Sequence, residues 1–148
     1  MIGAAVLVTA VVVVSTAAAT LSWRTVGDGA AAGPTVSTAV GYVAASRSGA
    51  LAAFGNRLTA PARASLAKVD FVHNVLVAVF GEYGCNDANV VTTAVTRHGA
   101  TLTVKLVPRP PAAGTVMCQA LFPTYRFLAV PRASLVAPLP TRAVVDFA

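Results

Sequence analysis

The chain has 148 residues, room for one domain and a leader segment. Its apolar fraction is 56% and its net charge +6, with eleven basic residues set singly and no two adjacent. A charge spread that thinly lacks the concentrated basic face of a nucleic-acid binder, so no nucleic-acid partner is expected; it suits a weak attraction to acidic envelope polymers or lipid headgroups.

Gly3 to Trp23 contains no charged side chain. The run is about as long as the ~20 residues that a bilayer-spanning helix needs. Residues 1–23 are therefore expected to form an apolar leader helix, with two readings open. As a signal peptide, Ala4–Val14 is the apolar segment and Ala17-Ala18-Ala19 the small-residue cleavage pattern. As a retained anchor, the span ends at Trp23-Arg24, an interfacial aromatic followed by a cation. The first cysteine is Cys85, so none sits where a lipid could be attached beside the leader. Residues 24–34 (RTVGDGAAAGP) are small, rich in Gly and without an apolar period. They read as a flexible linker, and the folded domain is expected to span 35–148.

Thr35–Ala44 is β-branched and reads as an opening strand. Ser46 or Ser48 then caps a short helix carrying Leu51, Phe54 and Leu58 at helical spacing. Pro61 opens a second helical turn over Ala62–Lys68. Val75–Phe80 is apolar on both pleat faces, as a strand covered on both sides requires. Val90–Thr96 and Thr101–Val107 read as a hairpin turning at His98-Gly99, where Gly99 supplies positive φ. Its expected register pairs Val95 with Leu102, Thr93 with Val104 and Val91 with Leu106, placing those six side chains on one face. The stretch from Pro108 to Gly114 contains three prolines and reads as a loop. Gln119–Phe122 and Tyr125–Val130 form a last long strand, whose interruption at Pro123 points to an edge or a bulge. Val144–Phe147 reads as a short closing strand. The fold class expected is α+β, mainly β: an antiparallel sheet domain with one or two short helices near its N-terminal side, preceded by the leader helix.

The two cysteines, Cys85 and Cys118, are read as a structural disulfide, as expected for an even, well-separated pair in an exported chain. The bridge closes a loop of roughly 34 residues, for ~3–4 kcal/mol in the chain-entropy picture. No C-x-x-C is present, and two histidines are too few to complete a metal set with the pair. No cofactor or metal is expected. Glu82, Asn86, Asp87 and Asn89 carry oxygen ligands in one loop but miss the calcium-loop spacing, and a hydrated turn is the better reading.

The stretch from Val69 to Ser134 resembles the C-terminal domain of the protease complex subunit PrcB family. An apolar strand ends in Phe80-Gly81, and a strand-turn-strand follows with Gly99 at the turn. A Pro-rich loop begins at Pro108, and a last strand carries Pro123, Tyr125, Val130 and Pro131. The resemblance implies a small β-rich envelope or secreted domain, in some cases the non-catalytic subunit of a protease complex. This chain departs from the pattern at Glu82-Tyr83-Gly84-Cys85-Asn86-Asp87, which leaves open any ligand role of that loop.

A hydrolase needs a nucleophile, a base and an orienting acid. Ser46, Ser48 or Ser65, with His73 or His98 and Asp70 or Asp87, could be combined on paper. No G-x-S-x-G element accompanies them, and no catalytic residue is expected. A contact surface is expected instead at Tyr83, Asp87 and Arg109, in the loops that the disulfide would hold together. The functional expectation is an exported, non-enzymatic binding or accessory domain of the cell envelope. Its partner would be an envelope or secreted protein, a protease among the candidates, with the membrane reached through an uncleaved leader. The alternatives are a membrane-tethered structural domain and a small hydrolase.

Overall fold

The computed structural model describes residues 17–33, 38–82, 90–109, 113–114 and 122–148. The elements are β1 (Ala19–Thr20), β2 (Arg24–Ala30), β3 (Val40–Ala44), α1 (Arg47–Phe54), α2 (Ala60–Ala67), β4 (Asn74–Glu82), β5 (Val90–His98), β6 (Thr101–Pro108), β7 (Pro123–Pro131) and β8 (Arg142–Phe147). Eight strands form one sheet in the order β1-β5-β6-β8-β3-β4-β7-β2. The two outermost strands, β1 and β2, are consecutive in the chain. The sheet therefore curls until one short stretch of backbone touches both of its ends. Every ladder is antiparallel except β6 with β8, which is parallel. The sheet is thus mixed, a correction to the antiparallel sheet expected.

The stretch expected to be a flexible linker begins as a strand. Arg24–Ala30 is a strand paired with β7 from Arg24↔Ala129 to Ala30↔Thr124, so this stretch is no linker. The sheet already includes Ala19, well before Thr35. Leu21 is buried, Trp23 packs against the interior cluster, and Leu21 N donates to Val95 O at 2.9 Å. Gly-rich composition suggested a linker, yet one glycine is needed for packing: a Cβ on Gly27 would lie 2.4 Å from Ser65 Oγ of α2. The expected leader helix falls mostly on residues 1–16, outside the described residues. Among the described residues no helix is long and apolar enough to cross a membrane.

The helices form where the caps place them. Ser46 Oγ accepts from Gly49 N at 3.0 Å at the start of α1, and Thr59 Oγ1 accepts from Ala62 N at 3.3 Å at the start of α2, each satisfying a first-turn donor. Pro61 sits in the first turn, where its missing N–H costs nothing. Ala50 and Phe54 of α1, and Ala62 and Leu66 of α2, are the buried positions, four residues apart in each case and so on one helix face.

β4 lies between β3 and β7, with both pleat faces buried. Leu76, Ala78 and Phe80 face the helices, joined by Tyr125 and Phe127 of β7. Val75, Val77 and Val79 face the inside of the curl, with Leu128, Val130, Val95, Leu102, Val104 and Leu106. Strand β7 is therefore interior to the sheet, not an edge, and Pro123 stands at its first residue, where a proline is tolerated.

The β5–β6 register differs from the one expected. The turn is the two residues Gly99-Ala100, with His98 opposite Thr101. Gly99 takes φ +59°, the first-position requirement of a type II′ turn. Val95 pairs with Val104 and Arg97 with Leu102, and a shift between Thr92 and Ala94 changes the parity. This bulge turns Thr93 outward and lets Val90 point inward. A perfect alternation would have buried Thr93; the extra residue removes that cost.

Candidate functional site

Among the described residues the curl is incomplete along one seam. β1 pairs with β5 only at Ala19↔Arg97 and Thr20↔Thr96. After Trp23 the chain leaves β5 and runs beside β7 as β2. Where the two diverge, a cavity of about 360 Å³ opens, lined by Trp23 just before β2, Thr25 and Asp28 of β2, Val90, Val91 and Thr92 of β5, Arg126 of β7, and Arg109 just after β6. That is near the low end of the roughly 300–1,000 Å³ of small-ligand sites.

Each lining residue is positioned by a sheet rule. Trp23 and Thr25 are two apart and share the inner face. The register shift between Thr25 and Gly27 adds a residue, so Asp28 follows at a spacing of three and sits opposite Arg126. Arg126 alternates with Tyr125 and Phe127, which point to the helices, and so is directed inside, with only 9% of its surface exposed. Its Nη2 donates to Val90 O at 2.6 Å and its Nη1 to Thr92 Oγ1 at 3.3 Å. A buried guanidinium requires such partners, and here it ties β7 to β5 across the gap in the sheet. Two arginines against one aspartate give the lining a formal charge of +1.

Of the expected contact residues, Arg109 is at the exposed lip of this cavity. Tyr83, Asp87, Cys85 and Cys118 lie outside the described residues, as do the side chains of the oxygen-rich loop from Glu82 to Asn89. The strand ends that flank these segments do converge. Glu82 is opposite Pro123, Val90 is opposite Pro108, and Val90 is bonded to Arg126. Sequence reasoning missed Trp23, Thr25, Asp28, Val90, Val91, Thr92 and Arg126. The legible signal was Arg126 itself, a lone charge inside the apolar run Tyr125–Val130.

The paper hydrolase residues are placed as follows. Ser46 caps α1, with Ser48 Oγ 3.3 Å away. Ser65 Oγ is 3.1 Å from Tyr125 Oη. His73 Nδ1 is 2.6 Å from Asp70 Oδ2, with both side chains largely exposed. The hydrogen bond from His73 holds the Asp70 carboxyl below its ordinary range, helped by the Val72 and His73 backbone N–H groups and opposed by desolvation. Arg132 N donates to His73 O at 2.8 Å, which fixes His73 beyond the Pro131 end of β7. Ser65 is at the Tyr125 end, six residues or ~20 Å along the strand. His98 closes the β5–β6 hairpin. Among the described residues no serine hydroxyl is hydrogen-bonded to either histidine. No group of three or more metal-ligating side chains is found among them either.

No protein-family model matches the chain, and no curated protein or solved structure matches it either.

Proposed function

We propose that the chain is an exported, non-enzymatic binding or accessory domain of the cell envelope, one that docks on another envelope or secreted protein, a protease among the candidates. The observation that carries the reading is the convergence of strand ends at the cavity rim. The strand ends that flank the segments holding Cys85 and Cys118 are paired with each other, Glu82 opposite Pro123 and Val90 opposite Pro108. A Cys85–Cys118 bridge would join these two segments beside a rigid rim of strand ends, the arrangement in which binding surfaces are usually built. The PrcB-like order of strand, turn and proline positions supports the same class of role. So does the expected leader: cleavage after Ala19 would remove one of the two β1 residues but leave Leu21, Trp23 and all of β2 in the mature protein.

The test is the intact mass of the protein from its native host, with and without reductant, joined to crosslinking in the intact envelope. A mass starting near Thr20, a two-hydrogen deficit that reduction restores, and a specific crosslinked envelope protein are expected. A retained leader, free thiols and no crosslinked partner would replace this reading with that of a membrane-tethered structural domain.

A further inference from the structure

Three consecutive residues of β5, Val90, Val91 and Thr92, border the cavity. Successive side chains of a strand point to opposite faces. A surface lined by three in a row is therefore the strand's backbone edge, not one of its faces. Pairing on that edge ends where Leu21 N meets Val95 O. From Val90 to Ala94 the side of β5 away from β6 has no strand partner among the described residues. The direction of the backbone groups follows from Val90, whose carbonyl points across the seam to Arg126. In an antiparallel ladder, residues two apart direct their N–H and C=O to the same side. Thr92 consequently aims its N–H and C=O into the cavity.

Beside this open edge stands Arg109, exposed at the lip and without a hydrogen bond or ion pair among the described residues. An open strand edge is a template for an added strand, and the unpaired guanidinium selects the charge of what is added. We propose that the seam between β2 and β5 binds an extended peptide by strand addition at Thr92, with an acidic side chain of that peptide on Arg109. The inference rests on the binding-domain reading above and supplies its partner chemistry. Charge complementarity favours an acidic strand: the lining is net positive and the whole chain carries +6. Trp23, the one tryptophan of the chain, lines the same cavity and reports occupancy.

The experiment selects a random heptapeptide display library on the full chain in detergent, then titrates the enriched synthetic peptides by Trp23 fluorescence. Enriched peptides should combine β-branched residues with Asp or Glu. N-methylation of alternate peptide amides should weaken binding about tenfold or more, the loss of one or two edge hydrogen bonds. Thr92→Pro, which removes the edge donor, should do the same, and Arg109→Glu should shift the preference to Lys. The N-methylated peptides leave the protein untouched, so a folding defect in Thr92→Pro cannot obscure the answer. Binding that survives N-methylation, or a library without acidic enrichment, overturns the proposal. An envelope partner whose crosslinking is unchanged by Arg109→Glu and by competing peptide also overturns it, while sparing the binding-domain reading. Acidic peptides that bind the edge in a chain with no envelope partner would do the reverse.

Discussion

The two faces of the β4–β7 pair are built on opposite plans. The face under the helices is aromatic and sealed: Phe54 of α1 lies 5.4 Å from Phe80, 5.6 Å from Tyr42 and 5.9 Å from Phe127 between ring centroids. The face inside the curl is aliphatic, holds the buried Arg126, and ends in an open seam. The same two strands carry a cluster of rings on one side, and on the other β7 lines the cavity of about 360 Å³ through Arg126. The difference teaches that curling alone does not complete this interior. The helices cover their side with whole apolar faces, whereas the N-terminal strand can satisfy β5 only at its end and β7 along its length, and the arginine bridges what remains.

The largest effect is expected on the sealed face. Phe54→Ala removes a ring with no exposed surface from the centre of the cluster. Large-to-small changes of this kind cost about 3–5 kcal/mol, read as a drop in urea midpoint. Emission of Trp23 in the folded state should be unchanged, because Trp23 packs on the other cluster. A changed native emission would mean that the two faces communicate and that the division drawn above is wrong.

Arg126→Leu probes the open face. It keeps an apolar body but strips Val90 O and Thr92 Oγ1 of their donor. Val90 O is buried, and leaving it unsatisfied costs about 1–3 kcal/mol, whereas the half-buried Thr92 Oγ1 can turn to water. The variant should be destabilised less than Phe54→Ala, and here Trp23 emission should change in the native state. Equal emission with lost stability would show that Arg126 supports the interior and leaves the cavity shape alone.

Gly27→Ala tests the contact that joins the two plans, β2 against α2. The new Cβ meets Ser65 Oγ at 2.4 Å and Ser65 Cβ at 2.6 Å, so α2 must move. Overpacking costs about 1–3 kcal/mol. Ser65→Ala added to it removes the hydroxyl but keeps the clash with its Cβ at 2.6 Å, and should restore little; full rescue would mean that only the Ser65 rotamer had to change.

What was legible in the sequence follows the same division. Val75–Phe80, apolar at every position, announced a strand covered on both faces. Ser46 and Pro61 announced the helices beneath which one of those faces is buried. These are local signals, complete within a few residues. The seam is not local. Arg24–Ala30 looks like a linker because its two roles, pairing with β7 and passing under α2, demand small residues and show only in three dimensions. The hairpin failed for a related reason: the bulge near Thr93 breaks the alternation on which the expected register depended, and a single extra residue exchanges the faces. Of the candidate site, Arg109 was legible as a loop cation near the cysteines. Arg126 was visible as a charge in an apolar strand, but its meaning depended on β5, more than thirty residues earlier in the chain.

The smallest effect concerns the exposed corner where α2 hands over to β4, with Asp70 between Val69 and Phe71 at the margin of the helix-side cluster. Asp70 Oδ1 accepts from Val72 N at 3.0 Å and its Oδ2 meets His73 Nδ1 at 2.6 Å. The His73 hydrogen bond is the main reason that the carboxyl is held below its ordinary range. A group whose pKa is lower in the folded state contributes stability that is present above its unfolded pKa and lost as pH falls through its folded one. Thermal scans of Asp70→Asn against the parent chain should therefore separate slightly at neutral pH and converge in acid, below the ordinary aspartate range, where the carboxylate is neutral. Asparagine keeps an oxygen that can accept from Val72 N, so the gap measures the charge and not the turn. A gap that persists unchanged into acid would assign the corner to turn geometry alone, and would leave both faces of the sheet indifferent to the ionisation of Asp70.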